Sequence, residues 1–154
     1  MKTNRKRHAR RHGLLMSDSV EFFVPGPPVP KGRPRLTRAG HIYTPKKTHD
    51  AEALFRLYAR TNLNRATGPL SMRVRFGMPI PKSYSKKKRQ AIQAGEFHHD
   101  KKPDLDNLLK LVLDALNGVA YEDDKQVIDI SACKFYAESV GTTVQLKQWG
   151  MAGD

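Results

Sequence analysis

The sequence feature that most constrains the fold is an apolar stripe between residues 105 and 117. Its members are spaced at i, i+3, i+4, i+7, i+8 and i+11, which is the pattern of one face of an α-helix. The stripe consists of Leu105, Leu108, Leu109, Val112, Leu113 and Leu116. Gly118 follows directly and is typical of the residue that ends a helix. The pattern therefore predicts an amphipathic helix with one face packed on a core.

Four other stretches predict strands. Residues 20–24 (VEFFV) are short and apolar, and between residues 68 and 81 apolar residues alternate with Ser71, Arg73 and Arg75. This period of two is typical of a half-buried strand. Residues 126–136 and 141–149 predict two closing strands, which we expect to form a hairpin. With the helices, these strands predict one compact α/β (α+β) domain, a small mixed sheet packed against two or three helices.

Two further helices and one loop complete the predicted architecture. Thr44 and Pro45 resemble the cap and first residue of a helix that runs to about Leu63. We expect its buried face to consist of Ala51, Leu54, Leu57 and Tyr58. Residues 85–95 predict a short basic helix. Residues 25–40 contain five prolines, which lack the backbone donor that regular elements need, so we expect a stiff irregular loop there.

The charge balance of the chain indicates a polyanionic partner. The 154 residues include 28 Lys and Arg against 15 Asp and Glu, a net charge of +13. Such an excess attracts nucleic acid, with a solvated basic surface as the alternative. With one cysteine, Cys133, and no apolar run of membrane-spanning length, we expect a soluble, cytosolic protein. Residues 1–16 predict a disordered basic arm ahead of a domain over residues 17–150.

The acidic residues are concentrated where a nucleic-acid binder would be expected to avoid them. Eight of the fifteen lie between residues 100 and 129: Asp100, Asp104, Asp106, Asp114, Glu122, Asp123, Asp124 and Asp129. Carboxylates repel phosphate unless a divalent cation bridges the two. The clustering therefore favours a nuclease, with helix capping by Asp104 and Asp106 and a solvated turn at 122–125 as the alternative.

Helix geometry suggests which acids could meet. Asp104 and Asp106 share the start of the predicted helix, which climbs about 17 Å from residue 106 to 117. The residues from Gly118 to Asp124 could span that distance back at about 3.3 Å each. We therefore expect Asp104, Asp106 and either Asp123 or Asp124 to converge. Oxygen ligands without nearby cysteine favour Mg²⁺ or Mn²⁺ over zinc.

Other residues have predicted roles around this group. Lys110 lies one helical turn from Asp106, where it could stabilise charge on a phosphate; the alternative is an ion pair with Asp106 or Asp114. His98 and His99 lie just upstream, and we interpret them as surface histidines rather than ligands. The predicted DNA-binding residues are Lys31, Arg33, Arg35, Arg38, Lys86, Lys87, Lys88, Lys101 and Lys102.

The segments KPDLDNLLKLVLDALNG (residues 102–118) and DDKQV (residues 123–127) resemble the core of the RusA family of Holliday junction resolvases. The segment FFVPGPPVPKGRPR (residues 22–35) is similar to the N-terminal part of many members. The resemblance extends from about residue 20 to 148, so the predicted domain over residues 17–150 looks like a RusA-type nuclease domain. Residues 1–16 have no counterpart in it.

The resemblance implies a homodimeric, Mg²⁺-dependent endonuclease that resolves four-way DNA junctions by paired cuts. It implies Asp104, Asp106 and Asp124 as the metal-binding triad and Lys110 as a catalytic lysine. The residues alone leave two competing hypotheses: a non-catalytic nucleic-acid binding protein, and a nuclease for flaps or other branched DNA. A hydrolase of small phosphoesters is disfavoured because it would not explain the charge of +13.

Overall fold

A four-stranded mixed sheet organises the computed structural model, which describes residues 19–150. Its strand order is β1-β6-β4-β5, with β4 and β5 parallel and the other neighbours antiparallel. The strands are β1 (Ser19–Pro25), β4 (Leu70–Met78), β5 (Val127–Tyr136) and β6 (Gly141–Gln148), and β2 (Arg35–Leu36) and β3 (Ile42–Tyr43) form a separate pair. The helices are α1 (Lys46–Asn62), α2 (Lys86–Gln93) and α3 (Leu105–Leu116).

The core lies between one face of this sheet and the helices α1 and α3. β4 alternates as its sequence predicts, with Arg73 and Arg75 exposed on the open face. Its other face buries Leu70, Met72, Val74, Phe76 and Met78. The predicted α/β class, with a small mixed sheet packed against helices, is confirmed.

α3 confirms the helix predicted from the apolar stripe. It begins at Leu105 and ends at Leu116, and Gly118 follows with a φ of +78°, a backbone conformation that favours glycine. The helix buries Leu108, Leu111, Val112, Ala115 and Leu116. Leu105, Leu109 and Leu113 pack against the core only in part, so the apolar stripe extends beyond the buried face.

The predicted hairpin of the last two strands is wrong, because β4 lies between β5 and β6. The crossover through α3 makes β5 a parallel neighbour of β4 on one side, and β6 pairs with β4 on the other. Residues 137–140 carry the chain across the end of β4, where the backbone N–H of Ala137 donates to the carbonyl of Met78. Periodicity identifies strands but not their neighbours.

The predicted details of α1 also need correction. Pro45 is the cap and Lys46 the first helical residue, one position later than predicted. The buried residues are Thr48, Glu52, Phe55 and Ala59, whereas the predicted Leu54 and Leu57 are 37% and 58% exposed. Apolar spacing does not predict this face, because two of its members, Thr48 and Glu52, are polar.

The predictions for α2 and for the proline-rich stretch agree with the structure. α2 confirms the short basic helix, and the Ser85 side chain caps it by accepting from the backbone N–H of Lys88 at 3.2 Å. The proline-rich stretch is irregular except for Pro25, which ends β1, and for β2, which pairs with β3. The basic arm predicted for residues 1–16 lies outside the described residues. In the described part of the chain, no helix has the length and hydropathy to cross a membrane.

Candidate active site

Two carboxylates stand at the start of α3. Asp104 is the residue that caps the helix, yet its side chain makes no capping hydrogen bond. Asp106 lies in the first turn, where its Oδ1 accepts from the backbone N–H of Asn107 at 2.8 Å. Both residues are exposed. The capping interpretation therefore fails to account for the Asp104 carboxylate, which is left open to an external partner.

The two acids of the DD turn differ in their hydrogen bonds. Asp123 caps a short 3₁₀ turn at Asp124–Gln126, because its Oδ1 accepts from the backbone N–H of Lys125 at 2.9 Å. The Gln126 side chain accepts in return from the backbone N–H of Asp123, which completes a capping box. The Lys125 N–H also lowers the pKa of Asp123. Asp124 takes no part in this box, so its carboxylate is the better candidate ligand.

The DD turn lies at the opposite end of α3 from Asp104. Val127 pairs with Leu70 at the start of β4, whereas Lys134 donates to the carbonyl of Pro103 at 3.0 Å, beside the start of α3. The strand from Val127 to Lys134 spans about 23 Å. The Lys134 side chain and its hydrogen bond to Pro103 together reach less than half of that distance, so Val127 lies far from the start of α3. The structure therefore places Asp104 and Asp106 at the start of α3 and leaves Asp124 apart from them within one chain.

The connection after α3 explains why Asp124 does not return to the helix start. The Ala120 carbonyl accepts from the backbone N–H of Ala66 at 2.8 Å, and the Tyr121 hydroxyl donates to the Leu113 carbonyl at 2.9 Å. These bonds hold the connection against the C-terminal end of the helix. Among residues 19–150, no three His, Cys, Asp or Glu side chains are grouped closely enough to hold a metal ion.

Lys110 pairs with Asp114 rather than with Asp106. Its Nζ lies 3.0 Å from Asp114 Oδ1, and Lys31 Nζ lies 3.0 Å from Asp114 Oδ2. Burial would raise the pKa of Asp114, but the hydrogen bonds from both lysines outweigh it and hold that pKa below its usual value. Lys110 remains 60% exposed, one turn from Asp106.

An ion-pair network that the sequence did not predict joins three segments. Lys31, from the proline-rich loop, contacts both Glu52 of α1 and Asp114 of α3, and Arg56 pairs with Glu52 at 3.3 Å. Only 10% of the Glu52 side chain is exposed. Burial lowers the pKa of Lys31, but the two carboxylates more than compensate and raise it. Lys31 thus fixes the loop to the helices, and its predicted DNA contact stays a prediction.

The other predicted DNA-binding residues lie on three surfaces. Arg33, Arg35 and Arg38 are exposed around β2, and Lys86, Lys87, Lys101 and Lys102 are exposed on α2 and before α3. Lys88 differs, because its Nζ lies 3.7 Å from the ring centre of Tyr84 and 4.5 Å from that of Phe97. Its cation is therefore held against aromatic rings.

His98 and His99 occupy different environments. His98 is exposed, whereas His99 is half-buried with its ring centre 4.8 Å from that of Tyr136. Burial and the nearby Lys134 lower the pKa of His99. Its Nδ1 is buried without a hydrogen-bond partner among the described residues. His99 is thus only partly covered in its loop, and the interpretation of both residues as surface loop histidines rather than ligands stays a prediction.

The start of α3 offers the donors that a hard divalent cation prefers. Mg²⁺ takes one or two protein carboxylates and keeps several waters, an arrangement that two exposed aspartates on one helical turn can accept. The N-terminal end of the helix dipole is positive and would oppose a cation there. A third carboxylate would offset that cost, which makes the location of Asp124 decisive.

Comparison with known proteins identifies the family. The model of the family described as Endodeoxyribonuclease RusA matches residues 25–147, most of the chain. The chain belongs to the RusA family. It is therefore an endodeoxyribonuclease, a hydrolase of the family that resolves Holliday junctions. A relative from Bacillus subtilis (strain 168), named Uncharacterized protein YqaN, is 39% identical over 138 residues. That match covers 85% of this chain and 97% of the relative.

The range matched by the family model includes both groups of carboxylates. The matched range contains both Asp104 and Asp106 at the start of α3 and the DD turn that precedes β5. Nucleases of this kind generally need a divalent metal. The ion-pair network around Glu52 also lies within the matched range, so it is part of the nuclease domain.

Proposed function

We propose that this protein is a Mg²⁺-dependent resolvase that cuts four-way DNA junctions by paired, symmetric phosphodiester hydrolysis, with Mn²⁺ as a substitute metal. The observation that carries the proposal is the pair of exposed carboxylates at the start of α3, with Asp104 free of any capping bond, in a RusA-family chain of net charge +13. We propose that it acts on DNA in the cytoplasm of a bacterial or phage-infected host cell.

We assign the metal-binding role to Asp104, Asp106 and Asp124. The bound cation would supply an activated water and neutralise charge on the phosphate. The carboxylates of Asp104 and Asp106 would hold it, since both stand at the start of α3. Lys110 leaves Asp114 and donates to the scissile phosphate, where it stabilises developing negative charge. Asp114 keeps its second partner, Lys31, during that exchange.

The separation of Asp124 from Asp104 leads to a homodimer with shared sites. A two-fold symmetric dimer can place the DD turn of one chain beside the α3 start of the other, and does so twice. Each site then contains Asp104 and Asp106 of one chain and Asp124 of its partner. Two such sites related by the same axis suit paired cuts in the two symmetric strands of a four-way junction. The exposed arginines and lysines around β2 and α2 would hold the DNA arms.

Cleavage of a labelled four-way junction tests the proposal. Wild type should cut the junction with Mg²⁺ and not with EDTA, whereas linear duplex and flap substrates should be cut far more slowly.

Asp104→Asn should bind the junction at least as well as wild type, because it removes a negative charge, yet cut it at least about a hundredfold more slowly. Equal cutting by Asp104→Asn, or metal-independent cutting, would contradict the proposal. Preferential cutting of flaps would favour a nuclease for other branched DNA, and junction binding without cutting would favour a non-catalytic binding protein.

A further inference from the structure

A cavity of about 480 Å³ lies beside the DD turn. One wall is formed by residues 65–68, which belong to the loop between α1 and β4, and the other by residues of the segment 122–126. Asp124 is the one member of that segment outside the cavity lining. The volume lies in the range of about 300–1,000 Å³ that is typical of ligand sites. The metal-binding role proposed for Asp124 therefore leaves this cavity free for another group.

Hydrogen bonds fix the two walls of the cavity relative to each other. The Gln126 side-chain amide donates to the Gly68 carbonyl at 3.0 Å and to the Ala66 carbonyl at 3.3 Å. The backbone N–H of Ala66 donates to the Ala120 carbonyl at 2.8 Å. Because these bonds hold both walls before a ligand arrives, binding in the cavity costs little conformational entropy.

Two cations of the cavity have open donors. Arg65 and Lys125 are exposed, and within residues 19–150 no hydrogen bond or ion pair engages the Arg65 guanidinium or the Lys125 ammonium. Glu122 and Asp123 line the same cavity but pair with neither cation. The Asp123 carboxylate instead accepts from the backbone N–H of Lys125. A guanidinium with open donors matches the geometry of a phosphate better than any other side chain does.

We propose that this cavity binds one phosphodiester group of the DNA strand that is being cut, with Arg65 as the main contact and Lys125 as the second. The inference rests on the proposed function, which places Asp124 at the metal. A strand with its scissile phosphate at that metal has to run past the DD turn, because Asp124 lies in the chain between two lining residues, Asp123 and Lys125. A neighbouring phosphate then comes within reach of Arg65, which positions the strand relative to the metal.

The acids of the cavity set the physical basis of this contact. Glu122 and Asp123 cancel the charges of Arg65 and Lys125, so long-range attraction does not select a phosphate here. The selection comes from short-range hydrogen bonds, for which the guanidinium presents two parallel donors. The exposed Glu122 carboxylate repels a phosphate in the same cavity. Removal of the Arg65 charge and removal of the Glu122 charge should therefore have opposite effects on DNA affinity.

Methylphosphonate substitution tests the contact one phosphate at a time. Four-way junctions with a single neutral methylphosphonate at successive positions around the branch point are titrated with Asp104→Asn protein, which should bind without cutting. At the one or two positions that Arg65 contacts, the substitution should weaken binding at least about tenfold, because a charge-assisted hydrogen bond is lost. In an Asp104→Asn/Arg65→Ala protein, substitution at those positions should have no further effect.

Two variants control for a general change of charge. Arg60 is an exposed arginine in the last turn of α1, outside the cavity, so Asp104→Asn/Arg60→Ala should keep the full methylphosphonate sensitivity. Asp104→Asn/Glu122→Gln should bind the unmodified junction about threefold more tightly, because it removes a repulsive charge. Circular dichroism and chemical denaturation should be unchanged in all three double variants, since each replaces an exposed side chain.

The outcomes separate this inference from the proposed function. Undiminished methylphosphonate sensitivity in the Arg65→Ala protein at every position, or weaker binding by the Glu122→Gln protein, would overturn the inference. Protection by inorganic phosphate at constant ionic strength, without any methylphosphonate effect, would assign the cavity to free phosphate and would also overturn it. If the Arg65 contact is absent but wild type cuts junctions with Mg²⁺, the inference fails and the proposed function stands. If the contact is found but Mg²⁺-dependent cutting is absent, the contact stands and the proposed function fails.

Discussion

Asp123 and Asp124 are adjacent in the chain but differ in their hydrogen bonds. The Asp123 carboxylate is held by the capping box of the 3₁₀ turn, and Asp124 stands outside that box. A resemblance between sequences implies the second acid as the ligand, and the hydrogen bonds give an independent physical reason. The ligand role of Asp124 itself remains a proposal, for which substitutions at the two positions form a matched pair.

Asp124→Asn should abolish cutting while Asp123→Asn should leave it close to wild type. The first change removes a metal-binding charge, worth several kcal/mol of transition-state stabilisation, so the cleavage rate should fall at least about a hundredfold. The second keeps the cap, because asparagine caps as well as aspartate does. Single-turnover cleavage of a four-way junction measures both. Equal losses at the two positions would contradict the division of tasks.

Asp114 should make folding stability depend on pH in the acid range. The hydrogen bonds from Lys110 and Lys31 hold its pKa in the folded protein below the ordinary value of 3.8, so the folded state favours the ionised carboxylate. The stabilisation is therefore present above pH 3.8 and is lost as the pH falls through the lower, folded pKa. Urea unfolding of wild type and Asp114→Asn should show a constant difference in unfolding free energy above about pH 5 that shrinks toward pH 3. A difference that grows as the pH falls would contradict this sign.

At the scale of elements, sequence patterns predicted the positions of helices and strands, because these depend on residues close together in the chain. The apolar stripe and Gly118 located α3, and alternation located β4, because each pattern repeats within one element. The buried face of α1 was misjudged because Thr48 and Glu52 belong to it, and nothing in the spacing shows that Glu52 has Lys31 as a partner. The order of β5 and β6 around β4 depends on a crossover through α3, which side-chain periodicity does not encode.

The same distinction between local and tertiary interactions applies to the residues of the candidate site. The adjacency of Asp104 and Asp106 follows from one helical turn, so sequence could predict it. The return of Asp124 was judged from chain length alone, which sets only an upper limit on reach. That connection is held at the far end of α3 because the Ala120 carbonyl accepts from the backbone N–H of Ala66 and the Tyr121 hydroxyl donates to the Leu113 carbonyl.

The ion-pair network should matter for stability rather than for DNA affinity. Lys31→Ala leaves the buried Glu52 without its main partner, and the unfolding free energy should fall by about 3 kcal/mol. Arg33→Ala, two residues along the same loop, changes an exposed side chain and should stay within about 0.5 kcal/mol of wild type. Chemical denaturation measures both. Arg33→Ala should instead weaken junction binding in an electrophoretic shift assay, and a stability loss of similar size in both variants would contradict the network's role.

At the scale of the whole molecule, the basic and the acidic residues have opposite effects on DNA. A net charge of +13 concentrates DNA near the surface, and the acids gathered between residues 100 and 129 repel it unless a cation is bound. One chain holds Asp104 and Asp106 at the start of α3 and Asp124 near its opposite end. The central claim is therefore that each cutting site contains aspartates from two chains.

Heterodimers of inactive chains test this claim most directly. Co-expression with two affinity tags yields a heterodimer of Asp104→Asn with Asp124→Asn, and another of wild type with the Asp104→Asn/Asp124→Asn double variant. With shared sites, the first heterodimer retains one intact site and should nick a four-way junction in one strand at about half the wild-type rate, while the second has none and should be inactive. An inactive first heterodimer together with an active second one would show that each site belongs to a single chain and would contradict the account.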